Sequence, residues 1–388
     1  MDKHTVFSTF GKWVSPICTQ LFQERIAETQ QDKYVKKLTT IAYLKLFLHA
    51  QIHQRDGLRE MADDLLSKDL QKELGLNSIS AAQLSRKHNR VDPRLLEQVF
   101  SELCSRIQSH LSPSKVRHDF KIVDSTTISL CLQKYRWAEF RKTKAGIKVH
   151  LRLVFVDQDD VIPEKAVITT ARKNDRSQMD ELIYERGVTY VFDRGYLDYQ
   201  TFDCYCDEGI FFVSRLKKNA VTRHIHSFQL PEDSHVLKDE MVYMGTPQNR
   251  MENVVRLLRT VDSLGKELTI VTNRFDLSAD EVGEIYRKRW AIETFFKWMK
   301  QHVRIRTFYG TSEQAVMNQI WIALISYCLL VLMKQEVQSS HPLLQLSRWL
   351  KMLLWKPYKR WVGRVKLRPT RSSAGRQSKK AASCANNQ

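Results

Sequence analysis

The 388-residue sequence is poor in cysteine, with seven thiols, an odd number, scattered at no framework spacing. That excludes a disulfide-stapled scaffold and reads as reduced thiols in a cytosolic protein. Cys204 and Cys206 in FDCYCDEG, the one close pair, have no second pair at zinc spacing. His49 and His53 lie four apart, but Ala50 stands where a zinc protease needs Glu, so ordinary core or surface histidines are expected. Long apolar runs are also missing. The most apolar stretch, IWIALISYCLLVLM from Ile320 to Met333, is shorter than the roughly 18 residues of a membrane span and reads as a buried helix. The opening MDKHTVFSTFGKW has no apolar signal-peptide region, and no internal repeat is evident. Acid is the scarcer charge: 43 Asp and Glu against 62 Lys and Arg leave a net +19. With 43% apolar residues, the chain reads as a folded polyanion binder, nucleic acid first and an anionic membrane second.

Three regions follow along the chain. Residues 1–117 read as almost all helix, through DKYVKKLTTIAYLKLFLHAQIHQ, GLREMADDLLSKDLQKELGL and two short helices broken near Asp92-Pro93. SAAQLSRKHNR suits a helix-turn-helix-like DNA reader with Gln83, Arg86, Lys87 and Arg90 on its polar side; an ordinary basic amphipathic helix is the equal alternative. SHLSPSKVRHD reads as a linker. From Phe120 the period changes to that of strands: FKIVDST, KVHLRLVFVD, EKAVITTA and VTYVFDRGY, with MDELIYERG as a helix before the last. This predicts a mixed sheet covered by helices. GIFFVSRLKKNA and alternating patches from about Val221 to Leu268 predict a mainly β insertion. From Ser339 the chain is basic and aromatic, and TRSSAGRQSKKAASCANNQ reads as disordered.

SADEVGEIYRKRWAIETFFKWMKQ, Ser278 to Gln301, predicts one uninterrupted helix opened by a Ser278–Glu281 capping box. At about 100° per residue, Arg289, Glu293 and Lys300 fall within about 60° of Tyr286. Ile285, Ile292, Phe296, Met299 and Val303 form an apolar stripe beside them. One reading is a solvated flank with an Arg289–Glu293 pair worth a few tenths of a kcal/mol. The other is a carboxylate at a core rim, surrounded by cations that can meet phosphate.

Asp124 follows KIV and Asp193 follows TYVF, so each is expected at a strand end, where α/β sheets form their sites. Strand-end aspartates often only cap turns. Joined by Glu293, the two would make an oxygen cluster that repels itself unless a cation enters. Oxygen donors without His or Cys favour magnesium or manganese. Two such ions suit phosphoryl transfer.

YRKRWAIETFFKWMK carries Y-x2-R-x3-E-x6-K through Tyr286, Arg289, Glu293 and Lys300. Together with VDST around Asp124 and DRGY around Asp193, it resembles the DDE transposases of bacterial insertion sequences, family four. The resemblance runs from Phe120 to about Met333. It implies an α/β, ribonuclease-H-like catalytic domain with a mainly β insertion, preceded by an all-helical N-terminal domain. The implied division is 1–117, 118–338 with the insertion at about 214–268, and a basic segment 339–388. Asp124, Asp193 and Glu293 are then catalytic and hold Mg2+, two ions, with Mn2+ able to substitute. Tyr286, Arg289 and Lys300 then contact DNA near the transposon end; Arg86 and Lys87 are expected to add contacts from the N-terminal domain on the helix-turn-helix-like reading alone. The implied partners are double-stranded DNA, both terminal repeats and target, and a second copy of the chain. The implied setting is the bacterial cytoplasm, at the nucleoid. Some members stack a flipped base on an insertion Trp; this chain has none between Trp137 and Trp290, leaving Tyr243 or Phe228 for that role or for ordinary core packing. A ribonuclease-H-fold nuclease without strand transfer, and a catalytically silent DNA-binding relic, are the alternatives.

Overall fold

The computed structural model describes residues 8–17, 20–111, 120–156, 161–217, 219–261, 265–302 and 308–367. The expected linker falls mostly outside these residues, as do Val303 and the C-terminal stretch read as disordered.

Helices open the chain: α1 (Thr9–Val14), α2 (Gln20–Glu28), α3 (Thr40–His53), α4 (Leu58–Asp63), α5 (Lys68–Leu74), α6 (Ala81–His88) and α7 (Pro93–Ser109). Local chemistry sets their ends. The Asp92 carboxylate accepts the Arg94 N–H at 3.0 Å and Pro93 occupies the first turn, so the expected break there is a helix start. Ser80 and Gln83 form a reciprocal capping box on α6. One boundary differs from expectation. The stretch from Asp32 was read as helical, yet α3 begins at Thr40, because Asp32 caps the Thr40 N–H at 2.9 Å and Thr39 caps that of Ala42 at 3.2 Å.

The strands are β1 (Phe120–Leu130), β2 (Glu139–Arg141), β3 (Lys144–Phe155), β4 (Val161–Thr170), β5 (Thr189–Phe192), β6 (Phe211–Arg215), β7 (Thr222–Ser227), β8 (Val236–Thr246), β9 (Asn249–Arg250), β10 (Val255–Val261) and β11 (Glu267–Thr272). The sheet runs β3-β1-β5-β6-β11-β10-β8-β7, with β2 and β4 also on β3 and β9 on β8. Strands β1, β3 and β4 form an antiparallel meander; β5 joins β1, and β6 joins β5, in parallel. The helix expected before β5 is only a 3₁₀ turn, Asp175–Gln178, and a single turn, α8 (Met179–Leu182). The true crossover is α9 (Tyr199–Glu208), between the parallel pair β5 and β6. Because β11 pairs with β6, the segment read as an insertion extends this sheet.

Helices α10 (Ala279–Lys288), α11 (Trp290–His302), α12 (Glu313–Glu336), α13 (Leu343–Leu353) and α14 (Tyr358–Lys366) complete the chain. Helix α12 is apolar all round; it is long and apolar enough to cross a membrane, but 89% of its most apolar window is buried inside the protein, as expected of a core helix. It packs on α3 and α7 on one side and on β4 on the other, so one apolar core spans helices and sheet. The C-terminal segment is no free tail up to Leu367. Helices α13 and α14 return to α1, where Thr9 and Phe10 N–H groups donate to the Lys356 and Leu354 carbonyls at 2.8 Å. Strand alternation sends Ile122 and Val191 into this core, and Val123, Tyr190 and Phe192 into a second one on the opposite face.

Candidate active site

The last parallel pair between β1 and β5 joins Ile122 to Val191, and Asp124 and Asp193 each stand two positions beyond it. Alternation therefore brings Asp124 to the face of β1 against which α11 packs, with Asp193 beside it just past β5. Asp124 itself is not at a strand end, as the sequence suggested. Strand β1 continues beside β3 as far as Leu130. It is β5 that stops, at Phe192, and its end leaves room beside Asp124.

The helix expected from Ser278 to Gln301 starts with its predicted capping box but is broken at Arg289. There the Arg289 N–H bonds the Tyr286 carbonyl at 3.1 Å, and the Ile292 N–H bonds that of Arg289 at 3.1 Å, the tightened spacing of a 3₁₀ turn. Ile285, Ile292, Phe296 and Met299 are buried as the stripe predicted. Their burial fixes Glu293 at the rim of the core, its side chain 36% exposed.

Arg289 connects the elements. Its Nη2 donates to Glu293 Oε1 at 2.6 Å and its Nη1 to Asp124 Oδ2 at 3.2 Å. The i,i+4 pair thus exists, and the same guanidinium reaches into the sheet. Its side chain is 13% exposed, so solvent screens the pair far less than a surface bridge. Tyr286, itself buried, lies with its ring centre 5.8 Å from the guanidinium and supports it.

Burial pushes the Asp124 carboxyl up to about 6, and the charges of Asp193 and Glu293 add to the rise. The Ser125 N–H, 2.7 Å from Oδ1, and Arg289 pull the other way. The three acids therefore share one field. Among the described residues, no three Asp, Glu, His or Cys side chains stand close enough to hold a common ion. The expected convergence is incomplete in this conformation, and the guanidinium bonded to both Asp124 and Glu293 is the physical reason: it supplies the positive charge that crowded carboxylates demand. The donor set, carboxylate oxygens on a buried wall and an exposed rim, fits a hard divalent cation.

A fourth acid escaped the sequence reading. Asp175 accepts the Ser125 hydroxyl at 2.6 Å and Lys148 Nζ at 3.0 Å, with His150 Nδ1 at 3.5 Å. It thereby fixes the residue that follows Asp124. Its signal was the one used for Asp193, an aspartate in a polar turn after a strand, here ARKND after β4.

The remaining candidates divide. Lys300 is half-buried on α11 and Arg86 is exposed on α6. Lys87 needs correction as a DNA contact: it is 9% exposed, and its Nζ bonds Asp32 at 2.6 Å and the Thr40 hydroxyl at 2.9 Å. Its helix turns it inward, onto the cap of α3. In the insertion, Arg223 lies 4.8 Å from the Tyr243 ring centre and Arg256 5.5 Å from that of Phe228.

Residues 116–329 match the family described as Transposase DDE domain, and residues 4–77 a Domain of unknown function (DUF4372). A probable transposase for insertion sequence element IS5377, from Geobacillus stearothermophilus, is 28% identical over 334 residues, 85% of each chain. A putative transposase for insertion sequence element IS4SA, from Synechocystis, is 25% identical over 287 residues, 70% of this chain and 78% of its own. The solved piggyBac transposase synaptic complex with hairpin DNA is similar over 98% of this chain and 85% of its own, with a TM-score of 0.50 and 9% identity, a likeness of fold.

Proposed function

This chain belongs to the transposases with a DDE domain, and we propose that Asp124, Asp193 and Glu293 are the three carboxylates with which it cuts and joins DNA. It is an enzyme of DNA transposition, of the bacterial insertion-sequence type, and its chemistry depends on divalent metal. The proposed metal is magnesium, two ions with manganese able to replace them, which when bound activate the attacking oxygen and neutralise the leaving one.

The protein's own part follows from the geometry. Asp124, on β1, and Asp193, just past the end of the adjacent β5, are the rigid half of the donor set. Glu293, on a helix and partly exposed, is the adjustable half. Arg289 balances Asp124 and Glu293 when no other cation does, and it is placed to bind a DNA phosphate. Tyr286 holds Arg289 from beneath, and Lys300 is the second phosphate contact. The order β4-β3-β1-β5-β6, an antiparallel meander followed by two parallel strands, supports a ribonuclease-H-like catalytic unit. Residues 1–117 serve as the DNA-end module, and α13 and α14, packed back on α1, support its attachment to the catalytic unit. Terminal-repeat and target duplexes, and a second copy of the chain in the DNA complex, are the proposed partners.

The Arg289 link between Asp124 and Glu293, beside Asp193, carries this reading. Labelled duplexes bearing the element's ends test it. Asp193→Ala and Glu293→Ala are each expected to abolish cutting while retaining duplex binding; normal cutting by both would refute the assignment. Joined products from the parent chain separate a transposase from a nuclease that only hydrolyses.

A further inference from the structure

Residues 29–39, between α2 and α3, present Lys33, Tyr34, Lys36 and Lys37 to solvent. The segment is fastened from below. Gln31 accepts the Asp92 N–H at 3.0 Å and donates to the Arg90 carbonyl at 3.3 Å. Asp32 takes the Thr40 N–H, the Thr40 hydroxyl at 2.7 Å and Lys87 Nζ at 2.6 Å. Burial works to raise the Asp32 carboxyl, but its bonds to Lys87 and Thr40 outweigh it and hold it below the usual carboxylate range. The loop and the end of α6 are thereby one rigid piece.

Opposite the loop stand the exposed Arg86 of α6 and Arg90 in the turn just past it, and the two sides enclose a cleft of about 500 Å3. Among the described residues, none of Lys33, Lys36, Lys37, Arg86 and Arg90 has an ion-pair partner; Lys33 meets only Gln30 Oε1 and the Tyr34 ring. The one acid beneath, Asp32, is committed to Lys87. Five cations held close by a buried strut repel one another, and an extended anion relieves that repulsion. The C-terminal end of α6 and the turn after it are anchored to α12 and its cap. Asn318 of α12 donates to the His88 and Val91 carbonyls at 3.1 and 2.9 Å, and Ser312 bonds Asn89.

We infer that this cleft seats the phosphate backbone of double-stranded DNA, with the Asp32–Lys87 pair as its internal strut. The inference rests on the DNA-acting role proposed above and names where the N-terminal module grips. Backbone contact of this kind is independent of sequence and strongly salt-dependent.

Fluorescence anisotropy of the full chain with a labelled random-sequence 30-base-pair duplex, without divalent metal and over a range of KCl, tests it. Neutralising Lys36, Lys37, Arg86 and Arg90 to Ala is expected to weaken binding at least about tenfold near physiological salt and to flatten the log K–log salt slope by about three. A matched control removes four exposed cations elsewhere, Arg59, Lys68, Lys72 and Lys134, and is expected to keep the slope within about one unit of the parent. Circular dichroism confirms that both variants fold. If the two quadruple variants bind alike, or the cleft variant binds as the parent does, the cleft is not the seat, although the chain still binds DNA. If the parent itself binds no duplex, the functional reading falls and this inference with it.

Discussion

Arg289 Nη1 stands 3.2 Å from Asp124 Oδ2, across 165 residues of chain. A guanidinium in that place does what a divalent ion would do for the same carboxylates, so the two compete. Arg289→Ala is expected to lower the melting temperature in metal-free buffer and to enlarge the stabilisation that added magnesium brings, because ligand binding to the folded state adds stability. Thermal melts of parent and variant, with and without magnesium, check it. An equal magnesium shift in both would show that Arg289 does not sit at the metal's place.

Lys87 and Arg86 are sequence neighbours with opposite fates. Lys87→Ala leaves Asp32 partly buried without its cation and is expected to cost about 3 kcal/mol. Arg86→Ala, on the exposed side, is expected to change stability by less than about 0.5 kcal/mol. Urea titrations of the two variants give the comparison; equal losses would contradict the strut.

His88 sets an acid limit. Burial holds its imidazole down to about 3, and the hydroxyl of Tyr43, which burial pushes well above its usual range, lies 2.7 Å from Nδ1. The unfolded chain takes up the proton first, so this stability is complete above the ordinary histidine value near 6.5 and is lost as pH falls from there toward about 3. The loss is about 1.4 kcal/mol per pH unit, or roughly 2 kcal/mol at about pH 5. His88→Asn, whose amide keeps a hydrogen-bonding partner for Tyr43, is expected to flatten the melting-temperature profile between those limits. His53 and His150, both held down to about 4 chiefly by burial, leave a residual slope.

Asp239 and Arg256 form a buried bidentate pair between β8 and β10, at 2.9 and 2.6 Å, and Arg256 Nη1 also donates to the Arg274 carbonyl at 3.1 Å. Through it the added strands brace the approach to α10. Asp239→Ala is expected to cost about 3–5 kcal/mol and to lower cutting in proportion to the folded fraction. A variant that stays fully folded yet cuts poorly would mean the pair acts on the site directly.

Periodicity and capping chemistry made the strands and the starts of α7 and α10 legible, because Asp92, Pro93, Ser278 and Glu281 act on their own neighbours; the break at Arg289 was not legible. The acids were legible as candidates through their motifs. What the sequence could not carry were contacts between distant residues. Nothing local to Lys87 says that Asp32 captures it, and nothing local to Lys36 says that Thr40, rather than an earlier residue, starts α3. Asp124 was placed at a strand end because polar STT follows KIV; that β1 runs on to Leu130 beside β3, while only β5 stops, is a fact of pairing that its own segment does not carry. Asp175 was passed over because its partners, Ser125 and Lys148, come from other strands.

The central assignment is that Asp193 gives its oxygen directly to the metal. Replacing it with cysteine offers a sulfur that magnesium binds poorly and manganese binds better. Strand cutting at the element's ends by Asp193→Cys is expected to fall by more than about 100-fold in magnesium and to recover substantially in manganese. Cutting at the parent rate in magnesium would contradict it.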